Sequence, residues 1–197
     1  MQIDELTVGM VQTCCYILSK EGARECIVID PGAEPERIRQ HAGDRNIAAI
    51  LLTHGHFDHI GAVRALMQGP QSGNHRSEPE GPRIIIHRLD APMLTDPELN
   101  AGKGLTGLNV TAPEATDLVN EGDELELAGL KVKVLHTPGH TPGSVCYEIE
   151  GELFTGDTLF EYGWGRTDLP GGSEAQMEQS LGRLMPMVRT MPFHAGH

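Results

Sequence analysis

The sequence predicts a layered α/β domain, and three observations favour this fold class. As far as Met67, β-rich apolar runs alternate with more polar helical segments in the order β-β-α-β-α. From Asp123 onward the pattern changes to short alternating strands separated by turns. The 197 residues are 39% apolar and 22% charged, which is typical of one globular unit with a full hydrophobic core. We therefore predict a single domain over residues 1–197.

The first part of the chain supplies three strands and two helices. The Pro31-Gly32 pair predicts a turn directly after the second strand. The apolar positions Val63, Leu66 and Met67 lie on one face of the second helix. In chain order the pattern predicts a β-rich run at Met10–Ser19, a strand at Glu25–Asp30, a helix at Glu34–Ala42, a buried strand at Ala48–Leu52 and a helix at Ile60–Met67.

The middle of the chain has fewer regular elements. Gly69–Arg83 is rich in Gly, Pro, Ser and charge, which predicts a loop whose His75 is solvated. Ile84–His87 predicts a strand, and Leu89–Leu94 predicts a short helix. Asn100–Pro113 shows little periodicity; such a segment serves equally as an ordinary connection or as a lid or wall over a site.

The last part predicts a β-hairpin, two more strands and a helix. Leu125 and Leu127 alternate with glutamates, and Val132, Val134 and His136 alternate on the returning strand. Strands are predicted at Val145–Ile149 and Leu153–Thr155, and a helix capped by Ser173 and running to about Met185.

Charge and targeting signals exclude several classes of function. The net charge is -13 and the 15 Lys and Arg residues are scattered, so no basic patch points to nucleic acid. Met1–Gly9 lacks the features of a signal peptide, and no run of eighteen apolar residues occurs. We expect a cytoplasmic enzyme with neither a membrane nor a nucleic-acid partner.

Four cysteines lie in strand-like runs without CxxC spacing, at Cys14, Cys15, Cys26 and Cys146. This pattern favours buried free thiols in a reducing compartment over a disulfide or a metal site.

The motif that organises the chain is Thr53-His-Gly-His-Phe-Asp-His-Ile-Gly61, which follows a buried strand. Imidazole and carboxylate at this density suit a metal such as zinc. In a short loop, His54 and His56 can face one side while Asp58 and His59 face another, which serves two adjacent metals better than one. The alternative is a polar turn with solvated histidines.

Three further residues complete a candidate metal centre. His140 lies between two prolines at the end of a strand, Asp157 closes a strand after a glycine, and His197 follows Ala195-Gly196. Each residue alone has an ordinary structural explanation. Together with the four motif residues they form a set of seven that few proteins without a metal would carry.

These motifs resemble the metallo-β-lactamase superfamily, in particular its glyoxalase II-like branch. The similar stretches are His-x-His-x-Asp-His, Thr-Pro-Gly-His-Thr-Pro-Gly-Ser and Thr-Gly-Asp-Thr-Leu-Phe. The resemblance implies a four-layer αββα sandwich with the metal site at one edge of two facing sheets. It further implies two groups of ligands, with His54, His56 and His140 holding one metal, Asp58, His59 and His197 holding a second, and Asp157 bridging. The true lactamase branch usually places a cysteine late in the site, and Asp157 with His59 argues against that branch.

The resemblance implies a hydrolase with two divalent metal ions, zinc in the first place and iron or manganese as alternatives. The expected reaction is cleavage of an S-acyl glutathione, or a similar small thioester, by a hydroxide that the metals hold. Asp58 would orient this nucleophile and take a proton. Thr137 or Thr141 would serve as hydrogen-bond partners of the ligand histidines.

The Gly-rich loop around Arg166 is similar to a loop of small bacterial glyoxalase II-like proteins. Arg166 falls where glyoxalase II carries a lysine that contacts glutathione, so we predict a substrate-binding role for it. An internal ion pair with Asp168 is an equally good interpretation.

Larger glyoxalase II enzymes have a C-terminal helical domain that binds glutathione, and residues 1–197 have no room for one. The family also continues past the last histidine with a Gly-Pro-x-Thr segment, whereas this sequence stops at His197, so we expect this residue to fray and the second metal to be bound weakly or not at all.

Three other functions remain open at this point. A persulfide dioxygenase-like oxidoreductase of the same superfamily would hold one iron on His54, His140 and Asp157. A nuclease fits the acidic surface poorly, and a non-catalytic binding module fits the intact ligand set poorly.

Overall fold

The computed structural model describes residues 1–68 and 81–197. Its strands in the first half are β1 (Gln2–Val8), β2 (Thr13–Ser19), β3 (Glu25–Ile29), β4 (Asn46–Leu51), β5 (Arg83–His87) and β6 (Asp117–Val119). The second half contributes β7 (Glu124–Leu127), β8 (Leu130–His136), β9 (Val145–Ile149), β10 (Glu152–Gly156) and β11 (Phe193–Ala195). The helices are α1 (Pro35–Ala42), α2 (Phe57–Ile60), α3 (Val63–Leu66), α4 (Gly102–Thr106) and α5 (Glu174–Met187), with a 3-10 helix at Ala91–Leu94. Most of the predicted Gly69–Arg83 loop, including His75, lies outside the described residues.

The strands form two mixed sheets. The first sheet has the order β1-β2-β3-β4-β5-β6, in which β1 to β3 are antiparallel and β3 to β6 are parallel. The second sheet has the order β11-β10-β9-β8-β7, in which only the β10–β11 pair is parallel. The predicted hairpin is β7–β8, where Leu125 lies opposite Val132.

Three apolar clusters show that the layers are ordered helix, sheet, sheet, helix. Ile27 and Leu51 of the first sheet pack against Tyr147 and Phe154 of the second in the central cluster. The outer face of the first sheet packs against the helical segments through residues such as Ile38. The outer face of the second sheet packs against α5. The predicted αββα sandwich is confirmed.

The parallel strands of the first sheet direct polar residues to one edge. Because β3, β4 and β5 run in the same direction, the residues that follow them lie side by side at their carboxyl ends. Val145 of the second sheet donates a backbone hydrogen bond of 2.8 Å to Thr53 O, which joins the two sheets at this edge. The first histidines of the motif begin directly after Thr53.

Several predicted elements differ in detail from the observed ones. The helix predicted over Ile60–Met67 is two short helices, because Ala62 N donates to Pro31 O at 2.9 Å instead of continuing a helical ladder. Leu89–Leu94 contains only the short 3-10 helix, with Pro92 in its first turn. The α5 helix is capped by Ser173 as predicted and extends two residues beyond Met185. Within the described ranges, none of the helices has the length and apolar character needed to cross a membrane.

Candidate metal centre

The seven predicted ligand residues converge at the sheet edge from four separate parts of the chain. His54 and His56 lie in the loop after β4, and Asp58 and His59 lie on α2. His140 lies in the turn between β8 and β9, Asp157 follows β10, and His197 follows β11. The structure therefore brings together all the residues for which the sequence predicts a metal-binding role.

Three buried histidines form the first group. The nearest ring nitrogens of His54, His56 and His140 all lie within 4.8 Å of one another. His56 Nδ1 lies 2.8 Å from His140 Nε2. Burial lowers the pKa of His54 and of His140, and burial together with the neighbouring His140 lowers the pKa of His56 to about 3. All three imidazoles are therefore neutral at physiological pH and keep a lone pair for a metal.

Two contacts fix which ring nitrogen faces the centre of this group. His140 Nδ1 donates a 2.7 Å hydrogen bond to Arg166 O, which leaves Nε2 as the free nitrogen. Thr53 Oγ1 donates to Asp30 Oδ2 and can accept from His54 Nδ1 at 3.1 Å, which leaves His54 Nε2 free. Thr141 bonds to Asp90 and Ser144, and Thr137 bonds to Thr158, so neither predicted threonine contacts a ligand histidine.

Asp58, His59 and His197 form the second group, and the carboxylates of Asp30 and Asp157 lie beside its His59. Asp58 Oδ2 lies 3.5 Å from His59 Nε2 and 3.3 Å from His197 Nε2. Burial alone would lower the pKa of His59. The neighbouring carboxylates of Asp58, Asp30 and Asp157 outweigh this effect and raise the pKa of His59. Burial likewise raises the pKa of Asp58, but His59 and His197 outweigh it and hold this pKa below its ordinary value. The electrostatic field at the second ligand group therefore stabilises a positive charge there.

Asp157 lies between the two groups. Its Oδ2 lies 3.4 Å from His140 Nε2 in the first group. Its Oδ1 lies 3.4 Å from His59 Nε2 and 3.6 Å from His197 Nε2 in the second. One carboxylate therefore presents one oxygen to each group, which is an arrangement that allows it to bridge them.

The residues fit divalent metal ions. His54 Nε2, His59 Nε2 and Asp157 Oδ1 are buried and have no hydrogen-bond partner among the described residues. A buried polar atom left in this state costs about 1–3 kcal/mol, so these atoms need a partner that the described part of the chain does not provide. Convergent imidazole and carboxylate donors are ligands for zinc, iron or manganese.

Two buried carboxylates support the ligands from behind. Asp30 accepts from Thr53 N at 2.8 Å, and its Oδ2 lies 3.0 Å from His59 Nδ1. Asp90 accepts from Gly55 N at 3.2 Å, from Thr141 Oγ1 at 2.6 Å and from Gly143 N at 2.6 Å. The motifs do not single out either residue, although both are aspartates that follow buried strands ending at the same sheet edge.

Backbone hydrogen bonds hold the segment that carries His197 on two sides. Gly196 N donates to Gly156 O at 2.9 Å, and Cys14 N donates to Gly196 O at 2.7 Å. His197 Nδ1 lies 3.1 Å from Val11 O. The segment that was expected to be loosely held is thus tied to strands of both sheets.

A cavity of about 500 Å³ opens beside Asp58, His140, Asp157 and His197. Arg166 lies at its wall, but its guanidinium forms a two-pronged ion pair with Asp168 at 2.6 and 2.7 Å. The ion-pair interpretation of Arg166 is therefore what the structure shows, and its predicted contact with substrate stays a prediction. Residues Ala101, Leu105 and Thr106 also line this cavity, which favours the wall interpretation of the segment after Asn100.

Comparison with protein families gives one match, to the metallo-beta-lactamase superfamily over residues 8–188. A probable metallo-hydrolase, YqgX, of Bacillus subtilis is 35% identical over 98% of this chain and 87% of its own length. Hydroxyacylglutathione hydrolase GloC of Haemophilus influenzae is 34% identical over 100% of this chain and 91% of its own length.

Three solved structures are similar to this chain over nearly its whole length. BLEG-1, described as a B3 metallo-beta-lactamase, has a TM-score of 0.87 and 34% identity, covering 100% of this chain and 91% of that one. TTHA1623 in a di-iron-bound form has a TM-score of 0.80 and 33% identity, covering 98% and 91%. ETHE1 from Myxococcus xanthus has a TM-score of 0.75 and 28% identity, covering 100% and 76%.

Proposed function

Because the chain belongs to the metallo-β-lactamase superfamily and is a metallo-hydrolase of that kind, we propose that it hydrolyses small thioesters such as an S-acyl glutathione. The observation that carries this proposal is Asp157, whose two oxygens face the two ligand groups separately. A bridged pair of ligand groups suits a binuclear hydrolytic centre better than a single-metal site.

We propose two zinc ions, one on His54, His56 and His140 and one on Asp58, His59 and His197, with Asp157 shared. Bound zinc would supply a water whose pKa is about 7 and a positive charge for the carbonyl oxygen. The di-iron form of TTHA1623 supports a two-metal site and makes iron the first alternative to zinc.

The reaction adds water across the thioester carbon–sulfur bond. The oxygen of water bonds to the carbonyl carbon, the carbon–sulfur bond breaks, and the sulfur leaves with one proton as a thiol. Asp58 has a pKa held below its ordinary value, which makes it a weak base. It therefore fits a role as a ligand that orients the attacking water, accepting a hydrogen bond from it, more closely than a role as the final proton acceptor.

The experiment is to measure thiol release from S-lactoylglutathione and from S-acetyl-N-acetylcysteamine, with protein purified without a chelator. Asp157→Asn should lower kcat/KM by at least about a hundredfold, because the amide has one oxygen in place of two and carries no negative charge to hold the metals. Asp117→Asn is the matched control, since Asp117 pairs with Arg83 on the surface. Absence of thiol release from both substrates would contradict the proposal.

A persulfide dioxygenase-like activity is the second candidate, and the similarity to ETHE1 favours it. It would hold one iron on His54, His140 and Asp157, and it would consume oxygen with glutathione persulfide. Because the chain is similar to BLEG-1, β-lactam hydrolysis is a third candidate activity, to be measured alongside the other two. Oxygen uptake without thiol release, or β-lactam opening without thiol release, would replace the thioesterase proposal.

A further inference from the structure

The cavity beside the metal centre has an apolar wall. We define the apolar wall as Met10, Val11, Phe57, Leu105, Phe160 and Leu169. These residues come from the turn after β1, from α2, from α4 and from the loops after β10. Separate parts of the chain thus contribute apolar side chains to the lining of one cavity beside the metal centre.

Part of this wall is exposed to solvent, which is unfavourable for apolar side chains. The exposed fraction is 87% for Met10, 50% for Val11 and 53% for Leu105. A contiguous exposed apolar patch next to a site commonly marks a surface that a ligand covers. The three side chains adjoin the cavity that also contains His140 and Asp157, so a ligand that reaches these residues can extend over the wall.

Away from the metal ligands, the described residues that line the cavity offer a substrate arm no fixed positive charge that is free of an ion pair. Among the described residues that line it, Arg166 is the one with a fixed positive charge, and Asp168 neutralises it through two short hydrogen bonds. An uncharged apolar arm needs no such cation, whereas a carboxylate-bearing arm such as that of glutathione would have to take Arg166 from Asp168.

We propose that the preferred substrates are thioesters that carry an uncharged apolar chain of several carbons on one arm, and that this chain lies along the apolar wall. The inference rests on the proposed thioesterase function and narrows its substrate class. A cavity of about 500 Å³ is within the usual size range for a small-molecule site.

The test compares kcat/KM over two series of uncharged thioesters. One series lengthens the acyl arm on N-acetylcysteamine from acetyl to hexanoyl, and the other lengthens the thiol arm of thioacetates from methyl to hexyl. Each methylene that is fully buried should raise kcat/KM about fourfold, so partial burial of four should give at least about a tenfold rise in one series. A flat profile in both series would overturn the inference while leaving the thioesterase proposal intact. Failure to cleave any thioester would instead overturn the proposed function.

Variants of the wall give an independent readout. Leu105→Ser should lower the hexanoyl-to-acetyl ratio of kcat/KM by about threefold or more, since it removes apolar contact area. Leu118→Ser is the matched control, because Leu118 is 54% exposed, close to the 53% of Leu105, but lies on the edge strand β6. The uncleavable thioether S-hexyl-N-acetylcysteamine should bind more weakly to Leu105→Ser than to Leu118→Ser in calorimetry. Equal ratios and equal binding for the two variants would count against the proposal.

Discussion

The Asp90 carboxylate accepts a 2.6 Å hydrogen bond from the Thr141 hydroxyl, which ties the turn that carries His140 to a residue buried after β5. The same carboxylate accepts from Gly55 N, between His54 and His56, and from Gly143 N. Burial raises the pKa of Asp90 to about 6 against these hydrogen bonds. One side chain therefore sets the distance between the two loops that supply the first ligand group.

We predict that Asp90→Asn weakens zinc binding at the three-histidine group by about 10- to 100-fold, because an amide cannot accept all three hydrogen bonds. Zinc affinity is measured by competition with a chromophoric chelator. Asp30→Asn is the matched comparison, since Asp30 contacts His59. This substitution should weaken zinc binding at the second ligand group instead. If both variants bound zinc as tightly as the wild-type chain does, these carboxylates would not position the ligands.

Gly165 lies against the metal centre with no room for a side chain. A Cβ there would lie 2.2 Å from Asp157 O and 2.9 Å from His140 Nδ1. Gly165→Ala should therefore displace His140 and lower metal content and turnover together by at least about tenfold. Gly182→Ala is the control, because a Cβ at this α5 position meets nothing within 4 Å and should stabilise the helix by about 1 kcal/mol. Normal metal content in Gly165→Ala would contradict the predicted crowding.

Metal removal should lower thermal stability. A ligand present at a hundred times its Kd stabilises the folded state by about 2.7 kcal/mol. For a chain of this size that corresponds to a fall in Tm of about 5–10 °C on chelation, measured by scanning calorimetry. Adding zinc back should restore the transition. An unchanged Tm after verified metal removal would mean that the seven residues do not hold a metal that is coupled to folding.

His87 should make the protein less stable in mild acid. It is buried and stacks on His136 with a ring-centroid distance of 4.1 Å; burial first, and His136 second, lower its pKa to about 4. The unfolded chain binds a proton near pH 6.5 while the folded chain resists it until about pH 4, so stability is full above this window and falls as pH decreases through it.

Between pH 7.5 and 5, His87→Gln should lose about 2 kcal/mol less unfolding free energy than the wild-type chain, as measured by urea denaturation. His41→Gln, at an exposed histidine of α1, should lose as much as the wild type. Equal acid losses in His87→Gln and the wild type would show that His87 titrates normally in the folded protein.

The sequence is most informative where ligands are close together in the chain. His54, His56, Asp58 and His59 could be assigned to a metal site because local spacing alone brings them together. Asp30 and Asp90 could not, because their contacts with Thr53 and Thr141 depend on how the parallel strands align. The sequence is limited in a related way for whole secondary-structure elements.

Three strands escaped prediction for a related reason. β1, β6 and β11 lie at the edges of their sheets, where one side of the strand has no partner. β6 and β11 have three residues each, too few to show alternation. The α5 helix, in contrast, has a capping serine and fourteen residues, and its start was predicted at the correct position.

The most direct test of the central claim is the metal content per chain, determined by elemental analysis on protein purified without chelator. The two ligand groups bridged by Asp157 predict two zinc ions per chain. They also predict that His197→Ala lowers the content to one, because it removes a ligand from the second group alone. A content of one iron per chain in the wild-type protein would contradict the binuclear hydrolase and favour the persulfide dioxygenase-like alternative.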